Sequence, residues 1–275
     1  MVVETKVAKT RARYGQHFLT DSQVVDRLVA VIAPRAGQRM VEIGPGRGVL
    51  TAPLLAALGE LDVVEIDTTL ADTLERRFGV KAGLRVHRGD ALKFDFAELA
   101  DRAAAAGRSD TRTDRTERLR VVGNLPYNIS TPLLFHLLAS AGQLDDMIFM
   151  LQLEVAERLV AEPGGGDYGR LSVMVQYHCD AELIFTVAPD AFEPPPSVQS
   201  ALLRLTPKPK VDVADDEPRL ATLVSKAFSQ RRKTLRNALR TEVDTEGLLA
   251  AGIDPERRAE TLSVADFVRL SNLLR

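Results

Sequence analysis

Short apolar runs alternate with amphipathic segments over much of the chain, and this alternation constrains the fold more than any other feature of the sequence. Apolar residues spaced three and four apart predict a helix that begins near Ser22 and ends at Ile32, and residues 50–58 form a second predicted helix. Five apolar runs are predicted strands, at residues 40–43, 62–66, 84–87, 119–122 and 147–151. Because a plausible helix separates each run from the next, the pattern predicts an α/β fold with a Rossmann-like parallel sheet.

Composition changes twice along the chain. Residues 101–120 hold six arginines, three aspartates and one glutamate with little apolar periodicity, which is typical of a solvated surface loop. Residues 207–218 contain three prolines and mixed charge, which is the composition of a linker, and the sequence after them is helix-like throughout. We therefore predict an α/β domain at residues 1–206 and a second, smaller all-α domain at residues 207–275.

Charge and cysteine content exclude several classes of protein. The 275 residues include 36 basic and 38 acidic side chains, so a nucleic-acid partner would need a local basic surface. Cys179 is the one cysteine, which excludes an internal disulfide and a zinc cluster of several thiolates. Its place in a strand-like run at residues 171–179 predicts a buried structural thiol. With no apolar leader and no long apolar run, the sequence predicts a soluble, cytoplasmic protein without a metal or a membrane partner.

The glycine spacing after the first predicted strand distinguishes between two kinds of cofactor. Residues 41–48 read VEIGPGRG, whereas a dinucleotide loop requires G-x-G-x-x-G, so the third glycine comes one position early. The carboxylate of Glu42 suits a cationic ligand better than a pyrophosphate. S-adenosylmethionine (AdoMet) carries an ammonium and a sulfonium and has no phosphate. The loop therefore predicts AdoMet binding by Glu42, Gly44 and Gly46.

Two further acids follow the next two predicted strands. Glu65 closes the second strand, where a carboxylate can accept hydrogen bonds from ribose hydroxyls. Asp90 follows the third strand and can accept from an adenine amine. Each acid alone is more often a solvated surface charge. With the glycine loop, three such features at successive strand ends favour a nucleoside-binding site.

Residues 123–130, GNLPYNIS, follow the fourth predicted strand and contain the predicted catalytic residues. An exocyclic amine on an aromatic ring is hard to methylate because its lone pair is delocalised into the ring. The side-chain oxygen of Asn124 and the backbone carbonyl of Leu125, which Pro126 restrains, can accept from the amine and redirect its lone pair. Tyr127 offers a flat face on which an extruded base can stack. Catalysis would rest on alignment and electrostatics, without a general base.

Four motifs together resemble the rRNA adenine N6,N6-dimethyltransferases. They are YGQHFL at residues 14–19, EIGPGRG at 42–48, NLPY at 124–127 and FEPPPSV at 192–198. AFSQRRKTL at 227–235 and YGRLS at 168–172 most resemble the small-subunit (16S) branch of that family. The similarity extends from about Tyr14 to the C-terminus.

The resemblance implies four methyl transfers from AdoMet, which give dimethyladenosine at two adjacent adenines near the 3′ end of 16S rRNA. The expected partner is this rRNA within the small ribosomal subunit or its precursor, and the chain is expected to be a monomer. Tyr127 and Phe192 are expected to sandwich the extruded adenine. Many members have asparagine in place of His17, which matters little if the contact there is through the backbone. The residues that the resemblance places against AdoMet are Gln16, His17, Leu19, Gly44, Glu65, Asp90 and Asn124.

A basic segment at residues 226–240 supplies the local positive charge. It contains six basic residues and no acid. As one continuous helix it would place its apolar residues on one face and its arginines on an adjacent stripe, which suits contacts with RNA phosphates. The predicted RNA-binding residues are Arg231, Arg232, Lys233, Arg236 and Arg240.

Three other functions compete with a small-subunit dimethyltransferase. A large-subunit rRNA adenine N6-methyltransferase of the antibiotic-resistance type is disfavoured by the helical-domain motif and by residues 192–198. A nicotinamide-dependent oxidoreductase is disfavoured by the glycine spacing. A non-catalytic ribosome assembly factor is disfavoured by the intact Asn124, Pro126 and Tyr127.

Overall fold

The computed structural model of the chain describes residues 16–79, 82–105, 118–209, 212–230 and 232–274. Two compact units make up the chain, the first from residues 1–156 and 182–207, the second from residues 157–181 and 208–275. One junction between the units lies after Pro207, one residue beyond the boundary predicted from the sequence. Residues 157–181, which the sequence assigned to the first domain, belong to the second unit. None of the helices in the described ranges has the length and hydrophobicity that crossing a bilayer requires.

The strands of the described residues form a large sheet and a small one. They are β1 (Phe18–Leu19), β2 (Met40–Ile43), β3 (Leu61–Glu65), β4 (Leu84–Arg88), β5 (Leu119–Asn124), β6 (Leu144–Gln152), β7 (Cys179–Val187), β8 (Phe192–Glu193) and β9 (Ser200–Pro207). The large sheet has seven strands in the order β4-β3-β2-β5-β6-β9-β7. Its first five strands in that order pair in parallel, and β9 pairs antiparallel to β6. β1 and β8 form a separate antiparallel pair.

The α-helices follow the predicted alternation in the first unit. They are α1 (Ser22–Ile32), α2 (Thr51–Leu58), α3 (Thr68–Arg77), α4 (Phe96–Ala105), α5 (Ser130–Leu138), α6 (Leu153–Val160), α7 (Arg170–His178), α8 (Glu217–Ser229), α9 (Leu235–Ala238), α10 (Thr245–Ala250) and α11 (Val264–Leu273). All five predicted strands and both predicted helices of the α/β region are present. The parallel Rossmann-like sheet is confirmed, and so is the helical character of the sequence after residue 207.

Strands β2 and β3 are buried along their whole length, as expected for parallel strands covered on both faces. The close approach of β2 and β5 depends on Gly123, because a Cβ at this position would lie 2.5 Å from the carbonyl oxygen of Ile43. The strand order reverses at β2, since the chain runs outwards through β3 to β4 and then returns to β5 on the other side. Ligands of open α/β sheets bind beside the carboxyl ends of the strands at such a reversal.

The strand-like interpretation of residues 171–179 is wrong. Helix α7 covers Arg170–His178, and Cys179 is the first residue of β7. The run is apolar without a clear period, so its sequence does not distinguish a buried strand from a buried helix. The helix begins where the Ser172 hydroxyl accepts a hydrogen bond from the backbone N–H of Gly169, at 3.0 Å. Cys179 is buried as predicted, and burial raises the pKa of its thiol to about 12.

Side-chain contacts within the second unit join residues 157–181 to the C-terminal part of the chain. The ring of Tyr168 packs edge-on against Phe228 of α8, with 6.2 Å between the ring centroids. The Tyr177 hydroxyl accepts a hydrogen bond from the backbone N–H of Ala214 at 3.1 Å. These contacts join segments far apart in the chain, and the linker composition at residues 207–218 gives no sign of them.

Candidate active site

The carboxyl ends of four parallel strands meet beside one cavity of the first unit. In the sheet register Ile43 pairs with Val64 and with Gly123, and Glu65 pairs with Arg88, so these strand ends are adjacent. The cavity brings together all but one of the predicted catalytic and cofactor-binding residues. Those that line it are Gln16, His17, Leu19, Glu42, Gly44, Gly46, Glu65, Asp90, Asn124, Leu125, Pro126 and Tyr127.

The glycine loop forms one wall of the cavity. Gly46 has a φ of +56°, and a Cβ there would lie 3.1 Å from the ring of Phe18 in β1. A side chain at this position would therefore strain the backbone and displace the aromatic ring. The backbone N–H of Gly46 donates to Glu65 Oε2 at 3.1 Å, which ties the loop to the end of β3.

Glu65 is held in place by backbone donors on both of its carboxylate oxygens. Oε2 accepts from Gly46, and Oε1 accepts from the N–H of Asp67 at 2.9 Å. Burial raises the pKa of Glu65 above its usual value, against the opposing effect of these hydrogen bonds. Beside it, the side chain of Ile66 is 41% exposed at the cavity and offers an apolar surface for a flat ring.

Glu42 lies under the glycine loop and is only 2% exposed. The hydroxyl of Thr51 in α2 donates to its Oε2 at 2.6 Å. Burial raises the pKa of Glu42 to about 7; the Thr51 hydrogen bond opposes this rise and the negative charge of Glu65 adds to it. The carboxyl group is therefore poised to change its charge near neutral pH.

Asn124 and Leu125 are fixed at the end of β5. The Asn124 Nδ2 donates to the carbonyl of His17 at 3.1 Å, which leaves the side-chain oxygen as the group available to a substrate. The Leu125 N–H donates to the carbonyl of Met150 at 3.0 Å, and the Ile129 N–H closes the turn on the Pro126 carbonyl at 3.1 Å. Both acceptors that the sequence predicted are thus held by rigid neighbours.

Tyr127 is fixed at two points. Its hydroxyl forms a 2.7 Å hydrogen bond with Ser200, whose side chain is fully buried at the start of β9. Its ring stacks on the imidazole of His17, with 5.5 Å between centroids and 28° between the planes. Burial raises the pKa of Tyr127, so its hydroxyl stays protonated at neutral pH.

Comparison with known proteins identifies the family. The family described as "Ribosomal RNA adenine dimethylase" matches residues 7–275. The chain belongs to this family.

Curated relatives and solved structures agree with this assignment. The chain is 51% identical over 267 residues to "Ribosomal RNA small subunit methyltransferase A" of Pseudomonas aeruginosa, covering 97% of this chain and 95% of the relative. It is also 51% identical to the protein of that name from Chromohalobacter salexigens, covering 96% and 91%. A dimethyladenosine transferase from Plasmodium falciparum has a TM-score of 0.75 at 25% identity, covering 92% and 96%. The 23S rRNA methyltransferase ErmE shares the fold, with a TM-score of 0.65 at 24% identity, covering 94% and 99%.

AdoMet is the methyl donor of this enzyme, and the donor set of the cavity fits it. Glu65 presents a buried carboxylate at the place where ribose hydroxyls bind in such folds, next to the apolar surface of Ile66. Gly44 and Gly46, both at positive φ, carry the loop past the cavity with backbone alone. Glu42, when ionised, adds negative charge beneath the loop, and residues 44–49 read GPGRGV, which is not the phosphate-binding G-x-G-x-x-G spacing.

Phe192 is the predicted site residue that the structure does not bring to the cavity. It pairs with Leu19 between β1 and β8, and its ring is 3% exposed within the apolar core. Phe192 therefore does not line the cavity with Tyr127, and the two-sided sandwich of the adenine that the resemblance implies stays a prediction. The physical reason is the apolarity of the phenyl ring, which is stabilised by packing among core side chains.

The basic segment at residues 226–240 is not one continuous helix. Helix α8 ends at Ser229 and α9 begins at Leu235. The break is stabilised by distant partners, because the N–H of Leu235 donates to the carbonyl of Arg257 and the N–H of Arg236 donates to the carbonyl of Pro255. Four of the predicted RNA-binding side chains are exposed: Arg232, Lys233, Arg236 and Arg240. Arg231 lies outside the described residues.

Two basic side chains of this segment pair with acids that lie further along the chain. Glu256 pairs with Arg236 at 3.0 Å, and Glu242 pairs with Lys226. Among the described residues, no acidic side chain pairs with the other three exposed basic groups, Arg232, Lys233 and Arg240. Among the described residues of the segment, these three carry the positive charge that no acid neutralises.

Sequence reasoning missed several residues that support the site. Thr51 holds Glu42, Ser200 holds Tyr127, and Phe18 packs on the glycine loop. Their positions in the sequence carry no motif for these contacts. Ile66 could have been found, since an apolar residue directly after the acid of the second strand is placed beside any nucleoside that the acid binds.

Proposed function

We propose that the chain dimethylates the N6 amines of two adjacent adenosines near the 3′ end of 16S rRNA, acting as a monomer on the small ribosomal subunit or its precursor. One observation supports this more than any other. Asn124 and Leu125 present two fixed acceptors beside the Tyr127 ring at the reversal point of the sheet. The full-length similarity to small-subunit methyltransferases favours this substrate over a large-subunit rRNA.

The residues that would hold the donor are those at the strand ends. The remaining lone pairs of Glu65 would accept from ribose hydroxyls, and Asp90 would accept from the adenine amine of the donor. Asp90 already accepts from the backbone N–H of Leu92 at 3.0 Å, which orients its carboxylate. Gly44, Gly46 and Glu42 would accommodate the amino-acid end. When bound, AdoMet supplies an electrophilic methyl group.

The residues of the chain then act on the target amine. The Asn124 oxygen and the Leu125 carbonyl would each accept one N–H of the adenine amino group, which pulls the nitrogen towards a tetrahedral geometry and directs its lone pair into the cavity. Such fixed dipoles cost no reorganisation during reaction, which is why they lower barriers effectively. The proton leaves to solvent after the new N–C bond has formed, so no side chain needs to act as a base.

The paired acceptors also explain how a second methyl group can be added. After the first transfer the nitrogen retains one N–H, which one of the two acceptors can still hold. The other acceptor then faces the first methyl group, so the second transfer depends on a single hydrogen bond and on base stacking against Tyr127. We therefore expect the second methylation to be the more sensitive of the two to changes in the stacking surface.

The basic side chains without acidic partners are the proposed RNA contacts of the second unit. Replacing Arg232, Lys233 and Arg240 together by glutamate should weaken binding to small subunits about tenfold at low salt and reduce the salt dependence of binding. Filter binding over a series of KCl concentrations measures both quantities. The matched control reverses three exposed basic residues of the first unit, Arg35, Arg76 and Lys93. Equal losses in both triple variants would show that only net charge matters.

Methylation of isolated subunits tests the proposed function directly. Wild-type protein incubated with labelled AdoMet should label small subunits that lack the modification, and nucleoside analysis should show N6,N6-dimethyladenosine at two adjacent positions. Large subunits treated in the same way should remain unlabelled. Labelling of the large subunit alone would instead support the large-subunit methyltransferase, and binding without labelling of either would support an assembly factor.

A further inference from the structure

His17 is the residue that joins the separate parts of the site. Its backbone carbonyl accepts from Asn124 Nδ2 at 3.1 Å. Its imidazole stacks on Tyr127, with 5.5 Å between the ring centroids. Its Nδ1 donates to the carbonyl of Pro194 at 2.7 Å. One residue thus contacts an acceptor of the amine, the stacking platform for the base and the segment that follows β8.

The contacts of Tyr127 leave its ring little freedom. The hydroxyl is held by Ser200, which is fully buried. One face of the ring is covered by the imidazole of His17 at an interplanar angle of 28°. The opposite face is therefore the one on which a base can stack, and the two contacts together hold the orientation of the ring.

We propose that the imidazole of His17 is a positioning residue that backs the Tyr127 ring and selects the face on which the target adenine stacks. The inference rests on the proposed function, in which Tyr127 is the stacking platform. It assigns the side chain a role that is separate from its backbone carbonyl, which contacts Asn124. The Nδ1 hydrogen bond to Pro194 fixes the plane of the imidazole and so the angle at which it supports Tyr127.

Two substitutions separate the ring of His17 from its hydrogen bond. His17→Phe keeps an aromatic ring but loses the donor to Pro194, whereas His17→Asn keeps an amide donor at the position of Nδ1 but loses the ring. His17→Ala loses both. If the ring backs Tyr127, kcat/KM for unmethylated small subunits should fall roughly three- to tenfold in His17→Asn and His17→Ala, the size of effect that one aromatic pair contributes. His17→Phe should recover most of that loss.

Measurements of AdoMet binding and of base stacking distinguish a positioning role of the His17 imidazole from a general effect of His17 on the fold. The AdoMet dissociation constant from calorimetry should change less than kcat/KM in all three variants, because the backbone carbonyl of His17 remains. An rRNA fragment with 2-aminopurine at the target position reports stacking by fluorescence without methyl transfer. Its fluorescence change on binding should shrink in His17→Asn and be restored in His17→Phe. Tyr127→Phe, which keeps the ring but loses Ser200, should also shrink it.

Specific outcomes would overturn the inference. If His17→Asn and His17→Ala bound and methylated RNA as well as the wild type or better, the imidazole would merely occupy the place of the base. If asparagine restored activity and phenylalanine did not, the Pro194 hydrogen bond would matter and the stack would not. Failure of the wild-type protein to methylate small subunits would contradict the proposed function instead, whatever the His17 variants do in the fluorescence assay.

Discussion

Replacing Asn124 by alanine should lower kcat for methyl transfer by roughly 10²–10³, the usual cost of removing one fixed hydrogen-bond partner from a developing charge. The substitution removes the side-chain oxygen that faces the amine and also the Nδ2 donor that holds the His17 carbonyl at 3.1 Å. The Leu125 carbonyl would remain, held through its own N–H by Met150, so residual activity is expected. The rate should be measured at saturating AdoMet and rRNA, so that weaker binding does not lower it.

Asn128 provides the matched control for Asn124. It lies in the same turn and at the rim of the same cavity, is exposed, and makes no side-chain hydrogen bond to another described residue. Asn128→Ala removes an amide from the same cavity without releasing any described hydrogen bond, so kcat should change by less than about threefold, or about 0.7 kcal/mol. If Asn124→Ala retained more than a tenth of the wild-type kcat, or if both variants lost activity equally, the side-chain oxygen would not be the acceptor that directs the amine.

The local part of this site could be predicted because its residues follow strand ends. Glu65, Asp90 and Asn124 each come directly after or at the end of an apolar run, and parallel strands place their carboxyl ends at one edge of the sheet. Each strand or glycine pattern spans only a few consecutive residues, so it can be recognised from the sequence alone. The same holds for the turn at Pro126.

The parts that could not be predicted depend on contacts between distant residues. The bond between Tyr127 and Ser200 joins positions 73 apart, and that between His17 and Pro194 joins positions 177 apart. No pattern of neighbouring residues in the sequence predicts either hydrogen bond. The break between α8 and α9 has the same origin, because carbonyls some 20 residues further along satisfy the amides at the start of α9. The hydrophobic period of residues 226–240 fits one helix or two short ones equally well.

Glutamine in place of Glu42 should make the protein more stable at pH 8 and remove the pH dependence of AdoMet binding. Glu42 has a folded-state pKa of about 7, against an ordinary value of 4.5. Between pH 4.5 and pH 7 the Glu42 carboxyl group is protonated in the folded state and ionised in the unfolded chain. Raising the pH through this range therefore lowers the free energy of unfolding, which keeps its full contribution from this group below pH 4.5. That contribution is lost as the pH rises through about 7. A shift of this size corresponds to about 3 kcal/mol at pH 8.

The substitution should preserve the surroundings of the side chain. The amide oxygen of glutamine can accept from Thr51 as the carboxylate does, and the volume is nearly the same. The free energy of unfolding should therefore rise by up to about 3 kcal/mol at pH 8 and change little at pH 4.5. Urea denaturation at the two pH values measures it. The control is Glu60→Gln, at an exposed acid of the same unit whose ion-pair partner among the described residues is Arg85; it should change stability by less than about 1 kcal/mol at either pH.

Donor binding should show the opposite dependence on pH. AdoMet carries a net positive charge, so it favours ionised Glu42 and should lower the pKa of this carboxyl group. Its affinity for the wild-type protein should rise as the pH increases towards 7 and then level off, with proton release on binding near neutral pH. Calorimetry in buffers of different ionisation enthalpy counts those protons. Glu42→Gln should release none and should bind AdoMet more weakly at pH 8, so the charge that destabilises the empty fold would be the charge that holds the donor. A wild-type affinity that stayed constant from pH 5.5 to 8 would exclude Glu42 from that role.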